Sequence, residues 1–188
     1  MITAAATNGR ATGFAQRVVS SDFVTGTVVF DVNDPDGDDN GPGTYAYPTA
    51  GDFHPGAFDI QRFQVIDSGD RYVLRTQLRN LSPTFGSSLG AQLLDIYARD
   101  TTDPTTATKA PFPSRNYTVS PWNRMIEVQG FAEPVFVDAN GTQLSGAAVQ
   151  AGEASRYITV SVPKTAFGNP TQFAVVLTGQ EGDSPDRA

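Results

Sequence analysis

Four aspartates crowd the short stretch Asp34, Asp36, Asp38 and Asp39, interleaved with Pro35 and Gly37 and followed by a stiff Gly41-Pro42-Gly43 turn. Carboxylates this close repel one another unless water or a cation neutralises them. A hard cation suits their oxygens, and calcium tolerates the irregular geometry of such a loop. The EF-hand pattern is not met. Asp34, Asp36 and Asp38 alternate as its ligands do, but Asp39 stands where that loop needs Gly and Tyr45 where it needs a bidentate Glu. A solvated acidic turn is the competing reading, because Asp-Gly and Asn-Gly pairs form turns unaided.

A second chemistry is stacking on sugar. A pyranose ring presents a flat C–H face that an aromatic ring covers, and its hydroxyls need polar groups at the rim. Trp122 is the one tryptophan, and Arg115, Asn116 and Phe112 precede it closely. That set makes a platform with hydrogen-bonding edges, although a Trp at a strand start serves equally as core. Tyr45 and Tyr47 alternate, so one points inward and the other, Tyr47 in this reading, adds to the binding surface. Nucleophilic catalysis finds little support. The single histidine, His54, lies in a Phe-His-Pro loop, and no Gly-x-Ser-x-Gly elbow supplies a serine. Paired carboxylates could hydrolyse glycosides, but nothing in the sequence assigns an acid and a base.

The chain of 188 residues is long enough for one domain with a substantial core. A net charge of -7 argues against nucleic acid and anionic membranes as partners, and suits a cation or a neutral polymer. With Cys 0, disulfides and thiolate chemistry are excluded. No signal peptide or membrane-spanning apolar run is visible. The chain reads as one domain over 1–188, with a lead-in at 1–15 and a tail at 180–188, excised from a larger secreted protein.

These groups must be held by strands. Residues 25–32 form the first firm strand, expected to turn Val28 and Phe30 to one face and to deliver the chain into the acidic loop. Residues 63–67 follow, with a slip of apolar phase after Ile60 that predicts a bulge. Tyr72, Leu74, Thr76 and Leu78 alternate with Val73, Arg75, Gln77 and Arg79 in the clearest strand, paired to its predecessor through Ser68-Gly69-Asp70. Arg75 and Arg79 read as a solvated row. Residues 92–98, 124–128, 135–137, 156–162 and 172–178 complete the strands, with an edge strand expected at 17–20, a long loop over 99–121 and one helical turn at 164–167. No segment holds a helical period beyond two turns, so the fold class is all-β, an antiparallel β-sandwich.

The run from Asp34 to Thr49, with Phe53-His54-Pro55-Gly56-Ala57-Phe58-Asp59-Ile60, resembles the C-terminal domain of glucodextranase and of related amylopullulanase-type enzymes. Leu93-Leu94-Asp95-Ile96-Tyr97, Arg115-Asn116, Pro121-Trp122-Asn123, Val162-Pro163-Lys164 and Gly179-Gln180-Glu181-Gly182 extend the resemblance over about residues 20 to 183. Those modules are similar to family 9 carbohydrate-binding modules and DOMON-like β-sandwiches. Family 9 modules clamp sugar between two Trp residues, which a chain with one Trp does not reproduce. The resemblance implies a secreted, non-catalytic, calcium-stabilised accessory module of an α-glucan-degrading glycoside hydrolase, binding α-glucan or cell-wall polysaccharide beside the parent's catalytic domain. It adds Asp59 to Asp34, Asp38 and Asp39 as the expected calcium ligands. Trp122, Asn116, Arg115 and Tyr47 are the expected carbohydrate contacts. A docking domain that binds no sugar, and an independent glycoside hydrolase, are the alternatives.

Overall fold

Strand periodicity with Gly- and Pro-rich punctuation folds into two antiparallel sheets in the computed structural model. It describes residues 24–39, 47, 49–112, 115 and 117–179, and the backbone alone of 2–7 and 12–17. The strands are β1 (Ile2–Thr7), β2 (Thr12–Arg17), β3 (Thr27–Asn33), β4 (Ile60–Ser68), β5 (Arg71–Leu78), β6 (Gln92–Arg99), β7 (Ala107–Lys109), β8 (Thr118–Trp122), β9 (Arg124–Gln129), β10 (Val135–Asp138), β11 (Ala148–Gly152), β12 (Tyr157–Pro163) and β13 (Gln172–Gly179). One sheet runs β11-β12-β5-β4-β3, and the other β10-β9-β6-β13. β1 pairs with β2, and β7 with β8, as separate two-stranded ribbons. The lead-in thus contains a hairpin, where a single edge strand at 17–20 was expected; residues 18–20 lie outside the described ones.

Alternation decides what faces the core. Phe63 and Val65 of β4, Leu74 and Leu78 of β5 and Ile158, Val160 and Val162 of β12 meet Leu94, Ile96 and Ala98 of β6 and Ile126 and Val128 of β9. Two sheets packed face to face over one shared core are a β-sandwich. The helical turn α1 (Lys164–Phe167) plugs one end, with Phe167 buried against Phe136 and Tyr72.

The phase slip after Ile60 is a register shift between Ile60 and Arg62 against β5. A second irregularity, between Val28 and Phe30 against β4, changes the expected common face of those residues. Phe30 is half-buried against Phe63 and Phe173, whereas Val28 is exposed. The stretch 99–121 is not wholly loop. It carries β7 and β8 and lays Ala107, Phe112, Tyr117, Val119 and Trp122 over the outer face of the second sheet, on Tyr97, Met125 and Val137. Asn123, fully buried, pins this cover: its amide donates to the Asp100 and Asp103 carbonyls at 2.7 and 3.3 Å, and its Oδ1 accepts from Asp100 N at 2.9 Å.

Candidate functional site

The acidic loop is laced to β4 and the end of β5. Asp34 N donates to the Gln61 carbonyl at 3.0 Å, and Gln61 Nε2 to Asp36 Oδ1 at 3.1 Å. The centre is Asp59, fully buried, whose Oδ2 accepts from Gly37 N at 2.8 Å and lies 3.4 Å from Arg79 Nη1. Gly37 (φ 83) and Gly56 (φ 80) occupy the left-handed region, and a Cβ on Gly56 would strike the Arg79 stem at 2.8 Å. Glycine is therefore required for the guanidinium to lie over this turn.

Asp59 Oδ1 is buried and finds no hydrogen-bond partner. A carboxylate oxygen in that condition costs stability unless something satisfies it. Burial and the neighbouring Asp38 and Asp59 charges push Asp34 above the usual carboxylate range, and burial with Asp59 and Asp38 does the same for Asp39. Asp34, Asp38, Asp39 and Asp59 thus feel one another's fields. Arg79 offers partial compensation, with its Nε 3.5 Å from Asp36 Oδ1. Carboxylate oxygens are the donors that a hard, oxygen-seeking cation prefers. Among the described residues, no three such side chains come close enough to complete a metal cage. Asn40–Ala46, including Tyr45, lie outside the described residues.

The residues expected to stack sugar are placed differently. Trp122 is 1% exposed and packs on Tyr97 at 5.5 Å between centroids, so it is buried between the cover and the sheet and offers no open face. A cleft of about 290 Å³ lies beside it, between Ser120–Trp122 of β8, Tyr97–Arg99 of β6 and Gln172–Ala174 of β13. Tyr47 is half-buried: its hydroxyl donates to the His54 carbonyl at 2.7 Å and accepts from Ala57 N at 3.2 Å, while its ring packs on Phe58. Asn116 lies outside the described residues.

Arg115 reaches inward rather than to a rim. Its buried guanidinium bridges Asp95 Oδ2, at 3.2 Å, and Glu127, which face each other across β6 and β9. Tyr97 and Tyr117 hydroxyls also donate to Asp95. Burial pushes both carboxyls above their ordinary range, Glu127 further raised by the Asp95 charge. Glu127 is the better place for a proton, because Asp95 is held by three donors. A catalytic pair needs a cleft that admits the sugar and, in one class, a water. This pair is sealed under Arg115. Sequence reading missed it because strict alternation assigns Asp95 to a solvent face, and missed Arg79 because its partner is remote in the chain.

Residues 29–188 match a family described as the C-terminal binding module, SLH-like, of glucodextranase. Among curated proteins none matches the chain. No helix among the described residues is long and apolar enough to cross a membrane.

Proposed function

Because the chain belongs to the family of SLH-like C-terminal binding modules of glucodextranase, we propose that it is a non-catalytic accessory module of an extracellular α-glucan-degrading hydrolase. In this reading it holds the parent enzyme on carbohydrate, either α-glucan or cell-wall polysaccharide. The family match carries the reading, since it spans both sheets and describes a binding module.

Calcium is the proposed stabilising ion. The residues that would hold it are Asp59, through its orphaned Oδ1, with Asp34, Asp38 and Asp39 from the loop. When bound, such an ion would offset the mutual repulsion of these carboxylates and tie the loop to the end of β5. Pro35 and Gly37 restrict and shape the loop, which favours preformed ligand geometry.

Calorimetric titration with maltooligosaccharides, isomaltooligosaccharides and cell-wall fractions tests the carbohydrate role. Saturable binding to one class supports it. Failure with all three, together with tight association to the parent catalytic domain, would establish a docking domain instead. Release of reducing sugar from the same glucans would overturn the non-catalytic assignment.

A further inference from the structure

Two phenylalanine rings stand in the open, one on the loop between β5 and β6 and one on the turn after β9. Phe85 is 63% and Phe131 51% exposed, and their centroids lie 6.3 Å apart with the planes inclined at 51°. Among the described residues they are the only exposed large aromatics. Every other phenylalanine that makes a ring contact does so within a packed cluster or under the cover.

The backbone beneath Phe85 is a poor choice for stability. Thr84 and Ser87 exchange both backbone hydrogen bonds, Thr84 N to Ser87 O at 3.1 Å and Ser87 N to Thr84 O at 3.0 Å. The two central residues, Phe85 (φ 51) and Gly86 (φ 78), both lie in the left-handed region. That is the signature of a type I′ turn, whose first central position favours Asn, Asp or Gly. A bulky aromatic there is an outlier. Strain of this kind persists where the surroundings hold it and where the displayed side chain has a use.

The surroundings do hold it. Ser87 Oγ donates to the Gly130 carbonyl at 2.7 Å and accepts from Leu89 N at 3.2 Å. A Cβ on Gly130 would lie 2.4 Å from the Gly90 carbonyl oxygen. The turn after β9, which carries Phe131 directly behind Gly130, is therefore pressed backbone to backbone on the segment that carries Phe85. Two separate loops present their rings from one rigid seat.

The rim chemistry selects the occupant. Ser88 and Glu133 are exposed and Gln129 is half-buried, so the two segments that carry the rings also carry hydroxyl, carboxylate and amide groups. No Lys or Arg occurs in residues 82–91 or 129–134. These two segments themselves offer no cation to a phosphate-bearing or acidic partner. Neutral rings with C–H faces and hydroxyl edges fit. The inclination of the two rings suits successive units of a curved chain better than a flat sheet of parallel chains, which coplanar rings would match.

We propose that Phe85 and Phe131 form a stacking platform for an α-linked glucan chain, with the polar side chains of the same two segments, Ser88, Gln129 and Glu133, available for its hydroxyls. The assignment rests on the reading of this chain as a carbohydrate-binding module, and moves the platform from Trp122 to an exposed site.

The test is native affinity electrophoresis of the whole chain in gels containing soluble starch or dextran, with Phe85→Asn, Phe131→Ser and the double variant, each checked by thermal unfolding. Asn suits the left-handed position, so Phe85→Asn should melt at or above the wild-type temperature while glucan retention weakens at least tenfold, and the double variant should migrate as though no glucan were present. Wild-type retention that survives in a folded double variant overturns the platform and leaves the carbohydrate reading intact. A wild type retarded by neither glucan overturns the platform as an α-glucan site; wild-type binding to cell-wall fractions in the same trial would leave the broader reading standing, and its absence would remove that too. A concentration-dependent dimer that Phe85→Asn dissociates, seen by sedimentation, would reassign the rings to self-association.

Discussion

Asp59→Asn separates the two roles that the acidic loop could have. Without a cation, the Asp59 carboxylate is a fully buried charge whose nearest counter-charge, Arg79 Nη1, lies 3.4 Å from Oδ2 and whose Oδ1 has no partner. An unsatisfied buried polar atom costs about 1–3 kcal/mol. The near-isosteric amide keeps an acceptor for Gly37 N and removes the charge, so in EDTA the variant should be at least as stable as the wild type. With calcium the order should invert. An ion that binds only the folded state adds about 2.7 kcal/mol at a hundredfold excess over its Kd. In a domain of this size each kcal/mol moves the melting temperature by about 2–4 °C, so the wild type should rise by roughly 5–11 °C and the variant hardly at all. Magnesium should restore less, since it demands near-ideal octahedral geometry and sheds water reluctantly. Differential scanning calorimetry of metal-stripped protein, in EDTA and in millimolar calcium, gives all four curves. Superimposable wild-type curves in the two buffers would refute the calcium site and return the loop to a solvated acidic turn held by Arg79.

Three further outcomes follow from the same geometry. Trp122→Ala should cost about 3–5 kcal/mol in urea unfolding, because the ring is core; an unchanged midpoint would restore it as a surface platform. Arg115→Ala leaves two facing buried carboxylates without their cation and should cost about 3–5 kcal/mol at neutral pH, with much of that loss recovered in mild acid as Glu127 takes up a proton; equal loss at both pH values would show that packing, not charge, is what Arg115 supplies. The metal-free wild type should gain stability as pH falls from neutral toward the ordinary carboxylate range. Asp34, Asp39, Asp95 and Glu127 have raised folded-state pKa values and so bind protons more readily folded than unfolded. Below about pH 4 the trend should reverse, because Asp31, Asp67, Asp100 and Asp103 are held below their usual range by Arg62, by Lys164, by Thr102 and by the Thr105 backbone N–H, and these contacts are lost on protonation. A melting temperature in EDTA that rises steadily from pH 4 to 7 would contradict this.

Local pattern was a sound guide wherever one face of a strand meets the core. The alternation of Tyr72 to Arg79, the slip after Ile60, the helical turn at Lys164–Phe167 and the closing strand at 172–178 all reappear in the fold. β11 was invisible, since Ala148–Gly152 has weak strand propensity and is held by its pairing with β12. The chemistry was harder to see because cover arrives from far along the chain. Asp95 and Tyr97 occupy the polar side of an alternating strand, and only the segment through Arg115, Tyr117 and Trp122 dries that side. Arg79 looks solvated until Gly56 and Asp59 fold beside it. Phe85, in an unremarkable Ser/Gly stretch, announces itself only through its backbone angle.

The contact of Phe173 with Phe30 and Phe63, at 4.9 and 5.5 Å between centroids, has a bearing on biosynthesis. It joins β13 to the first strands of the opposite sheet, so the interior is closed by pieces that leave the ribosome far apart in time. β3, β4 and β5 emerge early and can form hairpins, and β6 and β9 can cover part of their apolar side, yet Phe30 and Phe63 lack the Phe173 ring until β13 arrives. Pairings of such long sequence separation are slow, and the waiting chain is exposed to aggregation. Cleavage or a stop codon ahead of Gln172 would leave Phe30 and Phe63 without their lid, and the shortened chain would be a client for chaperones and proteases rather than a smaller module.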